Sequence, residues 1–117
     1  MEIRQNKLKL DTFIIRNNKR EIDNVFNYAD LLIDGPDLTI VIYKIKFGIF
    51  KKNVINYIMN LNNGIFITEK FKEPIERKLI LHIFDNQINA TLGNHNMLKI
   101  YDVNKEIIRI LKNHINS

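Results

Sequence analysis

Residues 20–33 read Arg20-Glu21-Ile22-Asp23-Asn24-Val25-Phe26-Asn27-Tyr28-Ala29-Asp30-Leu31-Leu32-Ile33. Apolar side chains recur at Ile22, Val25, Phe26, Ala29 and then Leu32 or Ile33, the spacing of one helical face. Glu21 and Asp23 suit the positive N-terminal end of a helix dipole, and Asp34-Gly35-Pro36 supplies a stop. A helix here decides the fold, because residues 38–47 that follow are the clearest strand in the chain. That strand starts nearly all apolar and ends alternating, with Lys44 and Lys46 toward solvent and Ile45 and Phe47 inward. Residues 49–62 repeat the helical pattern through Phe50, Val54, Tyr57, Ile58 and Leu61, with Lys51, Lys52, Asn56 and Asn60 opposite. Strand, helix and strand in that order predict a right-handed crossover if the next strand is parallel.

Outward from this centre the signals are mostly extended. Residues 2–16 alternate through Lys7-Leu8-Lys9-Leu10 and gain bulk at Thr12-Phe13-Ile14-Ile15, and Asn17-Asn18 carries turn chemistry. Residues 65–68, 78–84, 87–92 and 97–101 read as strands, with Asp85-Asn86 as a two-residue hairpin turn. Residues 103–115 read as a helix, with Val103, Ile107, Ile110, Leu111 and Ile115 on one face and Asp102 as N-cap. The expectation is one α+β domain over 1–117. It has a mixed or antiparallel sheet of five or six strands and three helices, in the order β-α-β-α-β-β-β-β-α.

A length of 117 residues suits one domain able to fold alone. Ile, Asn and Lys occur 22, 17 and 13 times and Ala twice. These are residues of A/T-rich codons, so an AT-rich genome explains part of the lysine content. The net charge of +5 is spread along the chain and permits, without specifying, an anionic partner. Cysteine is absent, which removes disulfides, thiol nucleophiles and cysteine-based metal sites and suits an intracellular protein. No signal-peptide core and no membrane-spanning run is expected from the sequence.

Chemistry is sparse. The four glycines form neither a P-loop nor a dinucleotide fingerprint. The sole Ser is Ser117, so a Ser or Cys hydrolase is excluded. His82, His95 and His114 are far apart, and His82 reads as the solvent-face residue of a strand. Asp34-Gly35-Pro36-Asp37 followed by Tyr43-Lys44-Ile45-Lys46 resembles in part the PD-(D/E)xK nucleases. That resemblance implies Mg²⁺ held by Asp37 and a later acid, with a lysine helping to activate water. Tyr43 or Ile45 stands where the second carboxylate belongs, so a degenerate nuclease is the third reading, and no cofactor or metal is expected.

The first reading is a non-enzymatic assembly subunit that docks on a protein partner through an apolar helix or sheet patch. Its candidate residues are Ile49, Met59 and Ile108, apolar positions flanking or off the helical stripes. The second reading is an RNA- or DNA-binding subunit, with Lys7, Lys9, Lys44, Lys46, Lys51 and Lys52 as the contacts.

Overall fold

The computed structural model describes residues 2–23, 25–48, 50–62, 65–68, 77–92 and 96–115. The strands are β1 (Glu2–Arg16), β2 (Lys19–Asp23), β3 (Tyr28–Asp34), β4 (Asp37–Lys46) and β5 (Phe50–Asn60). They continue with β6 (Ile65–Thr68), β7 (Arg77–Phe84), β8 (Gln87–Leu92) and β9 (Asn96–Ile100), followed by the helix α1 (Lys105–Ile115). The nine strands make one antiparallel sheet, so the expected α+β class with three helices is corrected to a mostly β fold with one short helix among the described residues.

Both lost helices are strands, for a readable reason. In residues 20–33, Ala29, Leu31 and Ile33 alternate inward along β3, a period of two that keeps Ala29 and Ile33 of the helical reading inside and leaves Ile22 and Val25 exposed. Asn24 and Asn27 are poor helix formers. Asn27 instead ties neighbouring strands together. Its N–H donates to the Tyr43 carbonyl at 3.1 Å, and its carbonyl accepts from Leu10 N–H at 3.1 Å. Within residues 49–62, Phe50–Asn60 form β5, where Ile55 and Met59 point inward and Phe50 and Val54 point to solvent. The β-branched Val54, Ile55 and Ile58 and the aromatic Phe50 and Tyr57 of this stretch favour a pleated surface over a helix. With every pairing antiparallel, the expected parallel crossover is absent among the described strands.

The hairpins show how turn chemistry sets register. Asn17 and Asn18 both take positive φ, 49° and 61°, and join Arg16 to Lys19, the requirement of a type I′ turn. Gly35, at φ 57°, leads Pro36 between the paired Asp34 and Asp37. Asp85, at φ 50°, turns β7 into β8, with Phe84 opposite Gln87.

β1 closes the sheet on itself. Its first part pairs with β3, and Leu10 to Ile14 pair with Ile100 to Asn96 of β9. β2 pairs along the far part of β1, where β3 has ended. A bulge between Gln5 and Leu8, with Lys7 at φ 57°, lets β1 change direction. The extra residue also resets its alternation, so that Leu8, Leu10 and Thr12 face the interior.

That interior is filled by Leu31, Ile40, Ile42, Ile88, Leu98 and Ile100 from the wall, by Val103 just ahead of α1, and by Ile107, Ile108 and Leu111 from α1. The helix covers one end of the barrel. Val103 N–H donates to the Asn86 carbonyl at 2.9 Å. The Gln5 amide donates to the Asp102 carbonyl at 2.9 Å and accepts from Asn104 N–H at 2.8 Å. The N-cap is Asn104, whose side-chain oxygen accepts from Ile107 N–H at 2.9 Å. Asp102, the expected cap, lies two residues upstream at φ 57°. No helix among the described residues is long and apolar enough to cross a membrane.

Candidate functional site

A groove of about 590 Å³ runs between α1 and the β7–β8 turn. Burial of Ile107 and Leu111 fixes which face α1 turns to solvent. Val103 and Ile108 form the apolar floor, and Lys105, Arg109 and Lys112 stand along the helix edge. Their spacing of four and then three residues brings three cations onto one side of a helix. Among the described residues, Asp85 is the only acid lining the groove. The ion pairs among the described residues, Arg4 with Glu2 and Lys51 with Asp30, lie elsewhere. An apolar floor under convergent cations accepts an anionic group carried on an apolar body.

A second cluster lies on the outer face of β1, β3 and β4. Asp30 Oδ1 accepts from Tyr43 Oη at 2.6 Å and from Lys7 N–H at 2.8 Å, and Oδ2 accepts from Lys51 Nζ at 3.0 Å. Burial alone would raise the Asp30 carboxyl, but the donors Tyr43, Lys7 and Lys51 together outweigh it and hold the group below its ordinary range. Burial first, and then the Asp30 carboxylate, push the Tyr43 phenol well above its ordinary value. Lys51 Nζ stands 4.5 Å from the Tyr43 ring centroid and Lys7 Nζ 5.8 Å from that of Tyr28. The two tyrosines stack at 6.2 Å.

The pattern continues along β1. Lys9 lies over Tyr101, whose hydroxyl donates to Asp11 at 2.8 Å, and Lys99 and Arg20 lie over Phe13. Burial and the Asp11 carboxylate raise the Tyr101 phenol as well.

The expected contacts are thus only partly gathered. Lys7, Lys9 and Lys51 share this outer face, whereas Lys44 and Lys52 sit opposite each other near the β4–β5 turn. Lys46 pairs through its backbone with Phe50, and its side chain lies outside the described residues, as does all of Ile49. Met59 and Ile108, expected as surplus on the surface, are both core residues at 7% exposure. Met59 is inward because β5 is a strand. Ile108 is inward because the helix end plugs a barrel and buries a wide stripe, with only its edge reaching the groove floor. Phe47, expected inward, is 82% exposed.

Asp37 opens β4 and Lys44 lies seven residues on, roughly 23 Å along an extended strand, so these two parts of the nuclease pattern are not brought together. His82 is exposed on β7, opposite Asn89. The described residues contain no cluster of three or more metal-ligating side chains.

Sequence reasoning missed Asp30, Tyr28, Arg109 and Lys112. The first two were hidden inside a segment read as helix, and Tyr28-Ala29-Asp30 becomes legible only once the period is two. Arg109 and Lys112 were visible as the polar side of α1, but the β7–β8 turn facing them was not. No family model, curated protein or solved structure matches this chain.

Proposed function

We propose that this protein is a non-catalytic docking module whose α1 groove receives a segment of a protein partner. The carrying observation is the meeting of Val103 and Ile108 as floor with Lys105, Arg109 and Lys112 as rim. The occupant that fits is a short segment with a bulky apolar anchor next to acidic residues. Apolar area supplies the affinity, and the cations set orientation and on-rate. An intracellular setting, expected from the cysteine-free sequence, goes with this reading.

The test is a fluorescence-anisotropy titration of acidic peptides, each carrying one aromatic anchor, against the full chain. Arg109→Glu combined with Lys112→Glu is expected to weaken capture at least tenfold, since a like charge inside a complementary contact costs several kcal/mol. Both residues point away from the core, so the thermal melt stays close to that of the parent. Undiminished capture by the double variant sinks the reading.

The outer face supports a second reading, nucleic-acid binding. Lys7, Lys9, Lys99 and Arg20 interleave there with Tyr28, Tyr101 and Phe13. The ring faces are already occupied by the protein's own cations, which leaves phosphate contact as the main attraction. If these four cations meet phosphates, log K falls with log salt at a slope of roughly −3 for a single strand. A flat salt response of oligonucleotide binding rules this reading out.

A further inference from the structure

We propose that the β4–β5 hairpin seats the protein on an anionic lipid bilayer. In this arrangement Phe47 and Phe50 enter the boundary between headgroups and acyl chains, and Lys44 and Lys52 meet the lipid phosphates and carboxylates.

Charge comes first. Residues 38–60 contain four lysines and no Asp or Glu, although the whole chain holds 13 acids. Register then concentrates two of those lysines, since Lys44 lies directly opposite Lys52. Two lysines on one end of a hairpin suit a surface of opposite sign.

Apolar exposure comes second. Phe47 is 82% exposed, Phe50 59% and Val54 51%, all on one hairpin. Phe47 also holds φ 54° and Gly48 φ 77°. A bulky aromatic residue in the left-handed region is uncommon, and here the turn directs it to the tip.

Shape decides between occupants. The β4–β5 hairpin holds Phe47 and Phe50 out in solvent at 82% and 59% exposure, whereas the cavity next to α1 is concave. A protein partner would need a pocket to cover two protruding phenylalanines, and RNA offers only flat bases and phosphates. A bilayer yields around a protruding apolar tip while its anionic headgroups meet the flanking lysines. Strand alternation puts this turn at the barrel end opposite the β7–β8 turn that α1 caps. The groove therefore stays open to a partner while the hairpin is seated.

The experiment uses the full chain with vesicles of phosphatidylcholine, alone or mixed with phosphatidylserine. Co-sedimentation is expected with the mixed vesicles and not with phosphatidylcholine alone. Phe47→Ser with Phe50→Ser is expected to weaken it roughly tenfold or more, and Lys44→Gln and Lys52→Gln by about fivefold each. These positions are exposed, so circular dichroism of each variant should match the parent. The chain has no Trp, so Phe47→Trp adds a single reporter. Its emission should shift blue on mixed vesicles and be quenched by lipids brominated in the acyl chain. Absence of sedimentation at low salt, sedimentation unaffected by the Phe47/Phe50 double variant, or a reporter that stays in water each overturn the proposal. Binding of RNA or protein at the hairpin without binding of vesicles overturns it equally.

Discussion

Leu111→Ala is expected to lower the unfolding free energy by about 2–5 kcal/mol. Leu111 is fully buried and reaches from α1 into a cluster that it shares with Val103, Ile107 and Ile108 and with strand residues such as Leu31, Ile88 and Ile100. Truncation removes its transfer energy and leaves a void that a closed ring of strands cannot collapse to fill. Urea denaturation reads the effect as a lower midpoint at unchanged slope. Lys112→Ala, one residue along on the solvent side, should stay within about 0.5 kcal/mol of the parent. A loss of less than about 1 kcal/mol at Leu111 would show that α1 is not part of the core.

Asp30→Ala is expected to cost about 2–3 kcal/mol, because it strands donors rather than merely deleting one bond. The Tyr43 hydroxyl, on a residue only 1% exposed, loses its acceptor. Lys7 N–H, at the bulge that turns β1, loses its side-chain cap. Tyr43→Phe should cost less, and the two changes together should cost less than their sum, since they break the same contact.

The pH dependence has a definite sign at each end. The folded Asp30 carboxyl titrates below its ordinary value. Its contribution is therefore present above about pH 4 and is lost as pH falls through the folded value. The stability gap between parent and Asp30→Asn should narrow below about pH 4. The Tyr43 phenol is raised, so its contribution is complete below about pH 10 and is lost above it. The gap between parent and Tyr43→Phe should close on that alkaline side. A gap that stays constant across both limits, measured by urea midpoints over pH, would contradict the coupling of these two groups.

Local chemistry was legible in the sequence, and global pairing was not. Asn17-Asn18 and Asp85-Asn86 bend the chain through backbone preferences that neighbouring residues alone dictate, whereas Gly35-Pro36, read as a helix stop, is the turn between β3 and β4. α1 was legible because its apolar spacing has no competing period of two. Segments 20–33 and 50–60 carry both periods, and an isoleucine-rich chain blurs them further. What settles them is a partner strand on either side, contributed by residues far away in sequence. The site inherits this limit. Ile108 was noticed as an apolar residue on a helix, yet its burial depends on the barrel end that the helix plugs. Phe50 was assigned to a buried stripe that exists only if β5 is helical.

The seam between β1 and β9 makes Leu10 a neighbour of Ile100, ninety positions away. During synthesis on the ribosome, the first strands emerge long before the one that zips them shut. The growing polypeptide must hold a half-open sheet, with greasy interior and bare backbone on offer, until its last third arrives. Whatever guards the nascent chain in that interval has as much say in its yield as the finished architecture.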